Sequence, residues 1–262
     1  MRARLVTVNA GDYFGPAGGP FGRAPKPALE VEALGRELHD IDGDVVAMQE
    51  VQSREVMDSF LPDAYPHRAF FETNDRGQRN FAILSKHPIL ETQSNRGHLL
   101  SSGPEKHLTR DVGEALIDVG GCPVRFYATH LRADPYYGGK VTPEKKKACE
   151  ETRMAEARAL QEIILADMPG IPGQRYVVMG DLNAAPGKPE IAALTTAESP
   201  KLVDTLGGRN DEAVWSHPAT RERKDFILVS PSIGLVAADV RRTAEAGVAS
   251  DHRAHWADVE LS

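Results

Sequence analysis

Cysteine is scarce in this chain of 262 residues, where only Cys122 and Cys149 occur. Two cysteines cannot build a framework of disulfides, and they form no zinc-binding cluster, so we expect a reducing, cytoplasmic location. No apolar run reaches the roughly 18 residues that a membrane-spanning helix needs. The apolar run at the N-terminus is too short for a secretory signal. We therefore expect no membrane association.

Several catalytic motifs are also missing. The sequence has no Gly-x-Ser-x-Gly elbow of a serine hydrolase and no His-Glu-x-x-His of a zinc protease. The Gly-rich segment 11–22 is not followed by the Gly-Lys-Ser/Thr of a nucleotide-binding P-loop. The formal net charge of −7 argues against a protein that coats nucleic acid through a general positive field. It does not exclude an enzyme that grips phosphates locally.

What the chain does contain is an interleaved series of strand and helix patterns without a linker or an internal repeat. Helical spacing is present at 28–39 and 53–61, and most clearly at 146–168, where Met154, Ala157, Leu160, Ile164 and Met168 share one face. Strand patterns occur at 2–9, 44–50, 68–73, 80–85, 111–119, 123–131, 175–180, 225–229, 234–240 and 255–261. Strands greatly outnumber long helices. This predicts an α+β fold of two packed sheets with helices outside, in a single domain spanning 1–262.

Polar residues recur where the predicted strands end. Asp181 and Asn183 follow the apolar run "YVVM" and, spaced by two, point to the same side of an extended chain. The other members of the series are Asn9, Glu50, His130, Asp225, Asp251 and His252. Each alone is explained equally well as a cap, a turn residue or a buried core histidine. Together they form an oxygen-rich set that suits a hard cation such as Mg²⁺.

The order of these residues resembles the endonuclease/exonuclease/phosphatase family. The matching pieces, in chain order, are Asn9, "QE" at 49–50, "RNFAILSKHPI" at 79–89, "THL" at 129–131, "GDLN" at 180–183, "DFIL" at 225–228 and "SDH" at 250–252. No single piece is specific, but their order across residues 3–261 is. The resemblance implies a four-layer αββα sandwich of two mainly antiparallel sheets flanked by helices, with the site at one rim.

The resemblance also implies residue roles in Mg²⁺-dependent hydrolysis of a phosphate ester. Glu50 is expected to be the principal ligand of Mg²⁺, for which Mn²⁺ can substitute. Asn9 would lie nearby as a ligand or phosphate contact, and Asp251 would complete the metal shell.

The remaining family residues are expected to act on water and phosphate. Asp181 would orient and deprotonate the attacking water, and Asn183 would hold that water or a phosphate oxygen. His252 would donate to the phosphoryl group while Asp225 accepts from its other ring nitrogen, and His130 would contact the phosphate or assist the leaving group. Whether Asp181 or His252 takes the proton stays open.

Substrate contacts are less defined by the sequence. Arg110 and Asn80 are candidates for phosphate contact, although a surface salt bridge explains Arg110 equally well. Residues 68–86 carry a positive bias that suits a short phosphate track, with Arg68, Arg76, Arg79 and Lys86 against Glu72 and Asp75. Tyr136 and Tyr137 are candidates for base stacking, and Trp215 is a weaker one.

The expected function is that of a monomeric, nuclease-like phosphodiesterase acting on DNA or another nucleic acid. Two alternatives stay open. One is a phosphatase or phosphodiesterase for a small metabolite or lipid headgroup, of the inositol-phosphate or sphingomyelin type. The other is a non-catalytic binding protein on the same scaffold.

Overall fold

A computed structural model describes residues 1–101, 103, 105–135, 141–209 and 213–261. Within these residues the chain forms twelve strands and five α-helices, joined in part by 3₁₀ turns at Pro20–Gly22, Met168–Gly170 and Pro172–Gln174. The helices are α1 (Ala28–Ile41), α2 (Arg54–Ser59), α3 (Pro143–Asp167), α4 (Pro189–Thr196) and α5 (Ala244–Ala249). The strands are β1 (Arg2–Tyr13), β2 (Val45–Val51), β3 (His67–Phe71), β4 (Asn80–Ser85), β5 (Ile89–Ser94), β6 (Val112–Val119), β7 (Cys122–His130), β8 (Tyr176–Asp181), β9 (Val203–Asp204), β10 (Asp225–Val229), β11 (Ile233–Val240) and β12 (His255–Leu261).

The strands form two six-stranded sheets. The first has the order β11-β12-β1-β2-β4-β3, and the second has the order β5-β6-β7-β8-β10-β9. Only the central pairs β1–β2 and β7–β8 are parallel, and the other neighbouring pairs are antiparallel. Each sheet is therefore mainly antiparallel, with one parallel pair at its centre.

Three apolar layers hold the two sheets and the helices together. Leu5, Val45, Phe126 and Ile227 belong to the buried cluster between the sheets. A second cluster packs α1, α2 and α5 on the outer face of the first sheet, and a third packs α3 and α4 on the outer face of the second. The central strands are buried on both faces, which explains their continuous apolar runs. The predicted αββα sandwich is confirmed.

Helix ends follow local capping chemistry. The side chain of Ser53 accepts the Val56 N–H at 3.3 Å, as expected for the N-cap of α2. Helix α3 begins at Pro143, three residues earlier than its apolar pattern indicates, because Thr142 caps it and Pro143 occupies the first turn. Both cysteines are free.

The sequence patterns did not predict several short elements. Strand β5 is an edge strand whose residues after Ile89 are exposed, so it has no alternation of apolar and polar residues. Helices α4 and α5 have only eight and six residues. Strand β1 continues to Tyr13, four residues beyond the strand pattern at 2–9 and into the Gly-rich segment 11–22. None of the helices in the described ranges is long and apolar enough to span a bilayer.

Glu114 gives the fold a defined pH dependence. This β6 carboxyl is 1% exposed, accepts a hydrogen bond from the Asn95 side-chain amide, and has its pKa raised to about 7 by burial. Between the ordinary carboxyl pKa of 4.5 and pH 7 the folded protein binds a proton that the unfolded chain does not, so stability falls as pH rises through this window. Glu114→Gln keeps the acceptor and removes the ionisation. We expect it to raise the free energy of unfolding at pH 8 by on the order of 1–3 kcal/mol.

Urea denaturation of both proteins at pH 5 and pH 8 measures this difference, and at pH 5 the gain should be small. Glu198→Gln, at an exposed position, is the matched control and should show no such pH-dependent gain. An equal effect of Glu114→Gln at both pH values would contradict the assignment.

Candidate active site

The sheet topology gathers the polar strand ends at one rim. Asn9 in β1 lies beside β2, which carries Glu50, and His130 in β7 is paired with Asp181 in β8. Strand β10 runs antiparallel to β8, so its first residue, Asp225, is paired with Asp181. The segment that precedes β12 reaches the same rim because β12 is antiparallel to β1.

Asp181 is the centre of this arrangement and is 1% exposed. Its Oδ2 accepts from the Asn9 side-chain amide at 3.1 Å and lies 3.3 Å from His130 Nε2 and 3.8 Å from His252 Nε2. Its Oδ1 accepts the backbone N–H of Asn183 at 2.8 Å. Burial raises the pKa of Asp181, and the charge of His252 opposes that rise. The carboxylate thus connects both sheets and three polar side chains.

The "GDLN" sequence is explained by close packing at this point. A Cβ atom on Gly180 would lie 1.9 Å from the Thr129 carbonyl oxygen, so only glycine allows β8 to approach β7 here. Leu182 is fully buried in the layer beneath α3 and α4. Asn183 adopts a φ of 50°, and its side-chain amide donates to the Leu131 carbonyl at 3.0 Å. The Asn183 side chain is therefore already engaged within the protein.

His252 is paired with the fully buried Asp225. Its Nδ1 lies 2.7 Å from Asp225 Oδ2. Burial by itself lowers the pKa of His252, but the charges of Asp225 and Asp181 outweigh burial and raise it to about 10. Ser250 places the histidine by accepting its backbone N–H at 3.0 Å while donating to the Asn9 carbonyl at 2.7 Å. His252 is therefore protonated at neutral pH.

His130 has the opposite character. It is 2% exposed, and burial, followed by the neighbouring Arg110, lowers its pKa well below 6.5. Its Nδ1 is buried without a hydrogen-bond partner among the described residues. Its Nε2 is the ring nitrogen that lies next to Asp181, at 3.3 Å from Oδ2. Two histidines on the same carboxylate therefore carry different charges.

Glu50 has a strained backbone conformation and lies next to Arg79. Its φ is 62° and that of Asp12 is 47°, a conformation uncommon for residues other than glycine. Glu50 Oε2 accepts the Asp12 N–H at 2.9 Å and lies 3.6 Å from Arg79 Nε. Burial raises the pKa of Glu50. This half-buried carboxylate is a position where a cation would lower the free energy of the ionised form.

The oxygen donors at this rim fit a hard divalent ion. Carboxylate and amide oxygens at Glu50 and Asn9 are the donor type that Mg²⁺ prefers. Two groups of potential ligands lie within 4.8 Å of one another: Asp181, Asp225 and His252, and His217, Asp251 and His252. Asp251 is exposed and groups with the histidines, whereas Glu50 belongs to neither group.

Arg110 and Asn80 lie near the rim but already contact the protein. Arg110 is 7% exposed and donates to the Leu131 carbonyl at 2.9 Å, while its buried Nε has no hydrogen-bond partner in the described chain. Asn80 donates to the Gln52 carbonyl at 2.7 Å and accepts the Thr73 N–H at 2.8 Å. The amide of Asn80 therefore fixes two loops.

The phosphate track expected over residues 68–86 is not formed as a continuous surface. Arg68 donates to four backbone carbonyls around the end of α2, and Lys86 pairs with Asp42 at 2.6 Å. Arg79 pairs with Asp12 at 2.8 Å. The sequence shows the charge of these side chains but not the internal acceptors that engage them.

A groove of about 890 Å³ instead lies beside the Glu50 end of β2. Gln52 and Asn80 line its inner end, and its cations are Arg54 and Arg96. Arg54 lies 5.7 Å from the Phe70 ring centroid, and Arg96 pairs with Glu72 at 2.9 Å. Neither arginine was singled out from the sequence, because the residues around them form no motif.

Trp215 and Arg223, which precede β10, both contact other side chains of the protein. Arg253 lies 3.8 Å over the Trp215 ring, so that face of the indole is covered. Arg223 forms two hydrogen bonds with Asp204, at 2.7 and 2.6 Å, and supports the start of β10. Tyr136 and Tyr137 lie outside the described residues. His217 was missed: its ring centroid is 4.9 Å from that of His252 at an interplanar angle of 71°.

Comparisons with known proteins agree with this geometry. No curated protein matches the chain by sequence. An endonuclease/exonuclease/phosphatase from Beutenbergia cavernae is similar in structure, with a TM-score of 0.71 at 21% identity over 100% of this chain and 72% of that one. The human Nocturnin catalytic domain with bound sulfate has a TM-score of 0.74 at 17% identity, over 100% of this chain and 95% of that one. Truncated Caenorhabditis elegans TDP2 has a TM-score of 0.67 at 16% identity, over 99% of this chain and 98% of that one.

These structural likenesses establish the fold. The sequence profile of the Endonuclease/Exonuclease/phosphatase family matches residues 11–252, which include every polar strand end described above except Asn9. The chain therefore belongs to the Endonuclease/Exonuclease/phosphatase family.

Proposed function

We propose that this protein is a Mg²⁺-dependent phosphodiesterase that cleaves nucleic acid by attack of water on phosphorus. Members of its family are hydrolases that act on phosphate esters. The observation that carries the proposal is the arrangement around Asp181, where a buried carboxylate lies between a neutral His130 and a protonated His252. Such a set provides a proton acceptor and a charged donor within a few ångströms.

Glu50 and Asn9 would hold the metal ion. Mg²⁺, when bound, neutralises charge on the phosphoryl oxygens. The Glu50 carboxylate supplies the charge, and Asn9 Oδ1, which also accepts the Gly11 N–H at 3.0 Å, supplies a neutral oxygen. Asp251 stays a proposed third ligand, because the Ser250 hydroxyl that donates to the Asn9 carbonyl at 2.7 Å also lies 3.3 Å from Asp251 Oδ1. Arg79 would partly offset the charge of Glu50 from the protein side.

Asp181 is the proposed general base. The charges of Asp225 and Asp181 raise the pKa of His252 to about 10, which supports Asp181 over His252 as the group that accepts the proton of water. Asn9, His130 and the Asn183 backbone N–H orient its two oxygens. A raised carboxyl pKa makes Asp181 a better proton acceptor.

His252 is the proposed donor to the phosphoryl group. Asp225 holds Nδ1, so the Nε2–H is free to point at a phosphate oxygen and to stabilise negative charge that develops there. His130 lies on the opposite side of Asp181 and would contact the phosphate or the leaving oxygen. Arg110, next to His130, adds a buried positive charge behind it.

The groove favours a polymer over a lipid. Its lining is largely polar, whereas a lipid tail requires an apolar lining. The charged residues of the lining are two cations and three carboxylates: Arg54, Arg96, Glu55, Glu72 and Asp75. Phosphates would contact the two arginines, and a base would stack beside Phe70. The bound sulfate of the Nocturnin domain shows that a protein of this fold holds a tetrahedral anion. We therefore propose that a nucleic-acid strand lies along this groove with one phosphate at Asp181.

Replacing Glu50 tests the metal site. Glu50→Gln keeps the shape and removes the charge, so turnover should fall by about 100-fold or more and Mn²⁺ should bind more weakly. Activity assays with and without EDTA and electron paramagnetic resonance of Mn²⁺ measure both effects. Glu32→Gln, on the exposed face of α1, is the matched control. Full activity of a folded Glu50→Gln protein, or of the wild type in EDTA, would refute the assignment.

Asp225 and His252 should act as a unit. An aspartate that orients a histidine has no role without it, so Asp225→Asn and His252→Gln should each lower kcat by several powers of ten and the double variant by little more. Steady-state kinetics of the three variants measure this, with melting temperatures to confirm folding. Strictly additive losses would show that the 2.7 Å contact has no catalytic role.

The groove separates polymer from small-molecule substrates. Arg54→Gln and Arg96→Gln should each raise KM for a labelled single strand about threefold to tenfold and leave KM for bis(p-nitrophenyl) phosphate unchanged. The loss of one phosphate contact should also reduce the salt slope for duplex DNA by about 0.9. Arg36→Gln, an exposed arginine on α1, is the control.

Supercoiled plasmid, a single strand and the small ester should be compared in Mg²⁺ with Glu50→Gln alongside. If only the small ester is hydrolysed, the protein is a phosphodiesterase for a small metabolite or headgroup. If nothing is hydrolysed, it is a binding protein.

A further inference from the structure

His217 lies against the proposed donor His252 but has no part in the chemistry described so far. It is half-buried in the turn before β10, where its backbone N–H donates to the Glu222 carbonyl at 3.0 Å. The two imidazoles meet edge to face, with 4.9 Å between their centroids.

The hydrogen bonds of His217 define which nitrogen carries its proton. The backbone N–H of Thr220 donates to His217 Nδ1 at 3.3 Å, and the Thr220 hydroxyl lies 2.9 Å from the same atom. Nδ1 is therefore an acceptor, and the proton of the neutral ring lies on Nε2. Burial, with Lys224 and His252 nearby, also lowers the pKa of His217 to about 4. The ring is consequently a neutral N–H donor at physiological pH.

The distances suit a shared oxygen. One ring nitrogen of His217, one of His252 and a carboxylate oxygen of Asp251 all lie within 4.8 Å of one another. Two N–H donors that bind one oxygen at 2.9 Å are about 4–5 Å apart. A neutral donor at His217 can thus approach a phosphate oxygen without the repulsion that a second imidazolium beside His252 would cause.

We propose that His217 is a further substrate-binding residue, whose Nε2–H donates to a non-bridging oxygen of the phosphate held by His252. This proposal rests on the phosphoesterase function proposed above. It gives the phosphate two imidazole donors from one side of the cleft, one charged and one neutral.

The same three residues could instead bind a transition metal such as Zn²⁺, which takes imidazole and carboxylate ligands. That arrangement requires the lone pair of His217 Nε2. Since the Thr220 N–H already uses the lone pair of Nδ1, the ring would have to change tautomer and lose that hydrogen bond. The observed contacts therefore favour the donor role.

Two substitutions separate hydrogen bonding from packing. His217→Phe keeps an aromatic ring against His252 and removes the donor, whereas His217→Gln keeps an N–H donor. With Mg²⁺ present, calorimetry should show that inorganic phosphate binds about tenfold more weakly to His217→Phe and within about threefold of wild type to His217→Gln. His39→Phe, at an exposed position on α1, is the control. Melting temperatures confirm that each variant is folded.

Nitrogen NMR of the wild type in EDTA gives a readout that does not depend on turnover. The His217 signals should show the Nε2–H tautomer with no protonation between pH 5.5 and 8. Equal phosphate affinity of wild type and His217→Phe, no phosphate binding to wild type, or a shift to the Nδ1–H tautomer on addition of Zn²⁺ would each overturn the proposal. If phosphate binding depends on His217 but no ester is hydrolysed, only the proposed function fails.

Discussion

The burial of one carboxylate, that of Asp181, is the constraint on which the rest of the site depends. A carboxylate that is 1% exposed is unfavourable unless every oxygen has a donor. The donors come from both sheets: Asn9 from β1 of the first, and His130 and the Asn183 N–H from the second. The two sheets must therefore meet at this edge in a fixed register. Within the second sheet, the close approach of β8 to β7 at Gly180 places Asp181 beside His130.

Helix α3 fixes the same edge from outside. Glu156, which is 1% exposed, accepts the backbone N–H groups of Thr109 at 2.8 Å and Arg132 at 2.6 Å. One carboxylate thus joins the loop before Arg110 to the loop after His130. Arg153, one turn earlier, donates to the Arg132 carbonyl at 2.8 Å. Glu156 and Arg153 lie on α3, for which the sequence pattern identified only an apolar face. These two polar residues support the position of His130.

The extent to which sequence predicted the molecule follows from the kind of interaction involved. The long strands and α3 were found because burial on one or both faces leaves a periodic or continuous apolar pattern. Asp181, Asp225 and His252 were found because their order along the chain resembles a known family. The structure places His252 2.7 Å from Asp225 and 3.8 Å from Asp181. Their proposed roles stay predictions until variants are measured.

What sequence could not supply is the set of partners that are distant along the chain. Arg68 and Lys86 had the right charge for a phosphate track, but backbone carbonyls and Asp42 already bind them. Asp251 belongs to the "SDH" piece of the family pattern, but the sequence does not show that it also lies close to His217, a residue in no recognised pattern. The signal that could have found His217 is its place eight residues before Asp225, in a turn closed by Thr220, but that spacing becomes meaningful only when the ring contact with His252 is seen.

The different pKa shifts of His130 and His252 show how the fold gives two histidines different protonation states. Both rings are buried, and both have Nε2 within 4 Å of Asp181 Oδ2, so burial and the shared carboxylate act on each. The difference comes from the residue behind each ring. Asp225 lies behind His252 and favours its proton, whereas Arg110 lies near His130 and disfavours it. Because two positive rings on one carboxylate would also repel each other, protonation of His252 further lowers the pKa of His130. The neighbour of each ring therefore decides its charge: Asp225 favours the protonated form of His252, and Arg110 favours the neutral form of His130.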